Sequence, residues 1–232
     1  MRVYSCLALG LLLAGCQPAG LSAEKQWALA TSAILTERNG ERHDILGGID
    51  RTEQSIDAIK TRLRDWWSID SRDSLLTTLK WLEEGGHRRD FERLAAAIGS
   101  MSREEYLDLL RKSRHDEDAS DRLGLVSDYA AKLGPKGLLG WDYGRYVSLC
   151  RWGYVAGYAT EEEAWDLILP AARKLRQTFD SWADLGANYL VGRAFWSPGL
   201  MRRDGQLYRN AYQTLLSSPQ SPWVLLPWNL TS

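Results

Sequence analysis

Cysteine, histidine and one-sided charge are all scarce in this 232-residue chain, and each shortage removes a class of function. The three cysteines stand at positions 6, 16 and 150, with no paired Cys motif, which excludes both a disulfide framework and a thiolate metal site. The three histidines, His43, His87 and His115, are dispersed among loop-like or charged stretches, so neither a metal site nor a His-based triad is expected. His-Glu-x-x-His, Gly-x-Ser-x-Gly and Gly-rich phosphate loops are missing as well, and no cofactor is expected. Basic and acidic residues number 29 and 30, a balance that argues against a surface for nucleic acid or anionic lipid. Long apolar runs are also lacking: Leu7 to Ala14 is too short to span a bilayer as a helix.

That short run is informative for what it does carry. Arg2 precedes it, small residues close it, and Leu13-Ala14-Gly15-Cys16 resembles the lipobox of bacterial lipoprotein precursors. The resemblance implies that residues 1–15 are a signal peptide removed on export and that Cys16 becomes the acylated first residue. Two or more acyl chains give a stable membrane anchor, since each buried methylene contributes about 0.8 kcal/mol. Gln17 in place of Asp resembles an outer-membrane address, which would face the protein to the periplasm. Removing residues 1–15 takes away Arg2 and no acid, leaving 28 basic against 30 acidic residues. Residues 16–23 then form the lipidated Cys and a tether, whose seven residues from Gln17 reach about 20 Å at most.

Residues 24–232 read as one all-α domain. Ile56, Ile59, Leu63 and Trp66 step at three and four, as do Leu75, Leu79 and Leu82, and again Val126, Tyr129 and Leu133. Capping-box spacing marks helix starts at Ser102/Glu105, Thr160/Glu163 and Ser181/Asp184, and Gly85-Gly86, Gly99 and Gly134-Pro135 mark stops. Residues 114–122 are densely charged and expected to be solvated. Residues 137–228 hold seven of the eleven tryptophans, which places most aromatic packing in the second half. Pro170 falls within the helical pattern Trp165 to Phe179, where a bend or a break into two helices is expected. Ser221-Pro222-Trp223 to Leu226-Pro227-Trp228 reads as an extended strap with both indoles docked on the helices.

Gly140-Trp141-Asp142-Tyr143-Gly144-Arg145, Arg151-Trp152-Gly153, Gly157-Tyr158, Glu162-Glu163-Ala164-Trp165, Ser181-Trp182, Asn188-Tyr189, Gly192-Arg193, Trp196 and the closing Ser-Pro-Trp and Leu-Pro-Trp form an ordered set. Taken together they resemble the bacterial family known as domain of unknown function 1266, over a core of about residues 66–232. The resemblance implies a helical fold and brings no catalytic residue onto these positions.

The residues themselves point to one candidate site. Trp141, Arg145, Leu149 and Trp152 share a helix face, which flanks the Arg145 guanidinium with indoles, a setting for cation–π contact and recognition of a carboxylate. Asp142 stands in the first turn of the same helix, and Tyr189, Arg193 and Trp196 share a face of a second one with Asn188 beside them. Two readings compete: a pocket in which Arg145, Arg193 and Asn188 grip an anionic or amide-bearing ligand, and a structural network in which an Arg pairs with buried Asp142. Cys150 reads as a small buried hydrophobe.

The functional expectation is a membrane-anchored envelope lipoprotein that binds a protein or small ligand without catalysis. The alternative is a cell-wall-directed hydrolase or transferase using Asp142, or one of Glu161, Glu162 and Glu163 at a helix start, with Arg support. Geometry separates the two. A water-accessible cleft with two carboxylates about 5–9.5 Å apart favours the enzyme, whereas an Asp142 saturated by donors favours structure or binding.

Overall fold

Helices account for every regular element in the computed structural model, which describes residues 20–230, and no strand occurs among them. In chain order they are α1 (Ala23–Ala30), α2 (Ala33–Arg38), α3 (Glu53–Trp67), α4 (Arg72–Glu84), α5 (Arg88–Gly99) and α6 (Arg103–Lys112). They continue with α7 (Glu117–Leu133), α8 (Leu139–Ala156), α9 (Glu161–Thr178), α10 (Trp182–Trp196), α11 (Pro198–Ser217) and α12 (Pro222–Leu225). The leader, Cys16 and the tether up to residue 19 lie outside the described residues. None of the described helices is long and apolar enough to cross a membrane.

Helix α8 is the axis of the fold. Every residue of it except Tyr154 is buried, as befits a helix apolar nearly all round, and α2, α3, α4, α9 and α10 pack against it. Its burial dictates the chemistry of the rest, because Asp142, Arg145 and Arg151 go into the interior with it and each needs partners there. Arg151 finds them without any carboxylate. Its guanidinium donates to Leu46 O at 2.9 Å, Arg42 O at 2.7 Å, Ser32 Oγ at 3.0 Å and Thr36 Oγ1 at 2.5 Å, pinning α2 and the loop before α3 to the axis. Burial pulls its pKa down to about 10, which still leaves it charged at neutral pH.

Local signals in the sequence are realised at most ends. Ser102 with Glu105 and Thr160 with Glu163 form reciprocal capping boxes. Ser181 accepts from Asp184 N, but the Asp184 carboxylate turns to Asp180 N, so that box is one-sided. Gly85 ends α4, and Gly134 follows α7 into a short 3-10 turn, whereas Gly99 lies inside α5, which Ser100 closes.

One expectation is narrowed and another corrected. Helix α9 runs unbroken through Pro170 from Glu161 to Thr178, so the proline does not divide it, and Phe179 caps the end as a buried core residue. The C-terminal strap is not wholly extended: Ser221 caps the short α12, which carries Trp223 inward, while Trp228 docks beyond it. The charged stretch 114–122 is largely exposed at the start of α7, except that Arg122 Nε reaches back to Phe195 O at 2.9 Å.

Candidate functional site

Asp142 is completely buried in the first turn of α8, and its carboxylate is taken up by the start of α5 and by Arg145 of its own helix. Its oxygens accept from His87 N at 3.0 Å, Arg88 N at 3.0 Å, Arg88 Nη1 at 3.2 Å and Arg145 Nη2 at 3.2 Å. It thereby caps the start of α5 from outside, since His87 at that end supplies no side-chain cap. Gly86, at φ +50°, makes the turn possible: a Cβ there would stand 2.5 Å from the Asp142 carboxylate. Asn188 does similar work at the other end of the junction, its Oδ1 accepting from Gly140 N at 2.8 Å and its Nδ2 donating to Gly137 O at 2.8 Å. Both side chains are spent on holding helices together, and the expected grip of Asn188 on a ligand is not what the geometry gives.

Beside this junction opens a cavity of about 940 Å³. Arg145, His87, Trp141, Trp152, Tyr189, Arg193 and Trp196 line it together with Trp66, Trp67, Trp81, Arg203, Asp204 and Tyr208. Trp66 is 69% exposed, and Trp81 and Trp196 are 42% and 40% exposed, so three indoles stand open at the rim. Trp66, three residues on from buried Leu63 in α3, stands at the cleft.

In the floor the cations lie on aromatic faces. Arg145 Cζ is 4.0 Å from the Trp141 ring centroid and 5.0 Å from that of Trp67, and Arg193 Cζ is 4.8 Å from Tyr208 and 5.1 Å from Trp196. Trp152, expected to flank Arg145, is stacked by Arg62 at 5.0 Å and donates to Glu41 Oε1 at 3.1 Å. Burial pulls the Arg145 pKa down to about 10 against the opposing pull of Asp142, so it too stays charged at neutral pH. Of the two arginines singled out in the sequence, Arg145 pairs with Asp142, which Arg88 shares, and Arg193 pairs with Asp204, Nη2 to Oδ1 at 3.1 Å. The α8–α10 contact that sets this floor depends on Gly192, where any Cβ would collide with Trp141.

His87 is the residue that sequence reasoning set aside. Its Nδ1 is 2.8 Å from Arg145 Nη2, a group that can only donate, so Nδ1 accepts and the ring proton resides on Nε2. Its ring centroid is 5.0 Å from that of Trp81 and 6.4 Å from those of Trp141 and Trp196. Arg88 was missed likewise.

Several donors around the cleft have no acceptor among the described residues. Trp141 Nε1 and Arg193 Nε are buried and unpartnered, and neither the Tyr189 hydroxyl nor His87 Nε2 makes a hydrogen bond. Burial raises the Tyr189 pKa, which keeps its hydroxyl a donor. Asp204 is the sole carboxylate among the described lining residues, and Arg193 already occupies it. The helix-initial acids lie elsewhere: Glu163 closes its capping box and pairs with Arg72 at 2.9 Å, and Glu161 accepts from Trp165 Nε1. Cys150 is buried, with its thiol pKa pushed up by desolvation, and no cluster of three metal-ligating side chains occurs among the described residues.

Comparison with known proteins places this geometry in a family. The family described as "Protein of unknown function (DUF1266)" matches residues 62–228, a span that contains nearly the whole cleft. The chain is 28% identical over 174 residues to the "Uncharacterized protein YbeU" of Escherichia coli (strain K12), covering 70% of this chain and 73% of that protein. It is 30% identical over 131 residues to the "Uncharacterized protein YbeR" of the same strain, covering 56% of this chain and 54% of that protein. No solved structure matches it.

Proposed function

The chain belongs to the family DUF1266, and from that premise we propose that it is a non-catalytic binding protein whose Trp/Arg cleft takes an anionic small molecule with an apolar body. The observation that carries this reading is an open, indole-lined cavity whose wall is built from residues with two buried guanidiniums and several donors that have no acceptor among the described residues. Buried polar groups are ordinarily satisfied, and a set of donors without acceptors in a concave site is matched by a ligand that brings acceptors.

The enzyme alternative fares worse. Asp142 accepts from four donors and does not line the cleft, and a pair of carboxylates flanking a bond is lacking among the described lining residues. In our reading Cys16 carries acyl chains that hold the protein at the envelope, in the outer membrane and facing the periplasm, on the strength of Leu13 to Cys16 and Gln17.

Binding is tested with the full chain in detergent, by titrating aromatic and aliphatic acids while following tryptophan fluorescence. Trp196→Ala should abolish the response while leaving the melting temperature within a few degrees. Turnover of cell-wall fragments that is lost in a folded Asp142→Asn variant would replace this reading with the hydrolase. Metabolic labelling with a palmitate analogue tests the anchor: the signal should vanish in Cys16→Ser, and labelling that persists there refutes acylation at that residue.

A further inference from the structure

Charge counting narrows the ligand further than the cleft's shape does. Arg145, Arg193 and Arg203 line the cavity and Arg88 stands behind it, four guanidiniums against the carboxylates of Asp142 and Asp204. The local excess is therefore two positive charges. Arg38 adds to it, its Cζ 5.7 Å from the Tyr208 ring and its Nε buried without an acceptor among the described residues. The buried guanidiniums of Arg145 and Arg193 are costly to desolvate and repel their like neighbours, exposed Arg203 included, an arrangement that a bound anion of matching charge relieves. A carboxylate supplies one negative charge; a phosphate monoester supplies nearly two at neutral pH, with three acceptor oxygens for fork-shaped guanidiniums.

The rim specifies the remainder of the molecule. Trp66, Trp81 and Trp196 present open indole surface, and a flat ring system stacks on such surface whatever its hydrogen-bonding edge. Thr77 and Ser68, both exposed on the wall formed by α4 and the end of α3, offer hydroxyls for a sugar-like spacer. A cavity of about 940 Å³ admits one such unit, and the near-neutral chain offers no basic track for a polymer.

We propose that the cleft binds a flat heteroaromatic ring joined to a dianionic phosphate, the chemistry of a nucleoside monophosphate, with the phosphate seated among Arg193, Arg203 and His87 Nε2 and the ring stacked on the rim indoles. This rests on the reading of the cavity as a ligand site. The decisive experiment is calorimetric titration of the full chain in detergent with ribonucleoside 5′-monophosphates, with the matching nucleosides, with inorganic phosphate and with 1-naphthoate.

A monophosphate should bind at least tenfold tighter than any of the other three probes. Arg203→Gln, at an exposed position with no hydrogen-bond or ion-pair partner among the described residues, should weaken it at least fivefold without moving the melting temperature, and Trp196→Leu should do the same. Naphthoate binding as tightly as the monophosphates overturns the dianion while leaving the anionic cleft intact. Nucleoside or free phosphate binding equally well overturns the joint recognition of ring and charge. Silence from all four probes, together with silence from the aliphatic acids, takes the binding function down with it.

Discussion

Two tryptophan clusters use the same residue for opposite ends. Trp27, Trp182, Trp223 and Trp228 pack into a closed box: Trp182 stacks on Trp223 at 5.7 Å and 7°, and Trp228 meets Trp182 edge-on at 4.8 Å. Trp182 Nε1 donates to Leu226 O and Trp223 Nε1 to Ala30 O, each at 2.8 Å, so α1, α10 and the C-terminal segment are sewn together through indoles. Trp27 Nε1 is buried there without an acceptor among the described residues. The second cluster, around Trp141, stacks its rings on cations and leaves three indoles open at a rim. What distinguishes them is what faces the rings: mostly other rings and apolar chain in the box, where Arg176 alone lies over Trp27 at 5.5 Å, and several cations and open space in the cleft.

The sharpest way to break this comparison is to truncate one indole from each cluster. Trp223→Ala should cost about 3–5 kcal/mol, because it removes a fully packed ring and its hydrogen bond together. Trp196→Ala should cost about 1 kcal/mol or less, since much of that ring is already in water. Chemical denaturation of the two variants measures both, and equal losses would mean that the cleft is as structural as the box.

The next test concerns the junction behind the cleft. Asp142→Asn removes the charge that Arg88 and Arg145 share and should cost about 3 kcal/mol, the scale for breaking a buried ion pair. Glu162→Gln, on the exposed start of α9, should change stability by about 0.5 kcal/mol at most. Indistinguishable melting temperatures for these two variants would remove Asp142 from the structural core.

How legible was this in the sequence? The helices and the capping boxes at Ser102 and Thr160 were, because each is settled by residues within one turn of one another; a pairing of Asp142 with an arginine was expected too, with Arg145 and Arg193 both candidates. Helical spacing put Trp141 with Arg145 and Tyr189 with Arg193 on shared faces, while a single cavity between those faces was one of two competing readings. His87 and Arg88 did not, since they join Asp142 across more than fifty residues and only tertiary packing brings them there. A signal existed nonetheless. Helix α5 starts after Gly85-Gly86 with no Ser, Thr, Asp or Asn to cap it, which demands an acceptor from elsewhere in the chain. The exposure of Trp66 beside buried Ile59 and Leu63 was not legible, because periodicity reports which face a residue occupies and is blind to whether another element covers that face. Asn188, named in the pocket reading, bonds the backbone at Gly137 and Gly140, since an amide near a helix end serves a backbone as readily as a ligand.

The finest distinction between the clusters lies in the backbone. Ser68, which closes α3 just after Trp66 and Trp67, adopts φ +54°, the one left-handed non-glycine residue among those described. A side chain in that region costs about 1–2 kcal/mol relative to the right-handed one, while glycine there relieves the clash and gives back about 0.5–1 kcal/mol through greater freedom in the unfolded chain. Ser68→Gly should therefore leave stability unchanged or raise it by about 1.5 kcal/mol at most, whereas β-branched Ser68→Val should lower it. Backbone strain of this kind gathers where a chain must present side chains at a site, and here it ends the helix that delivers two indoles to the cleft. If Ser68→Gly proves as destabilising as Ser68→Val, the serine hydroxyl itself, and not the turn, is what that position supplies.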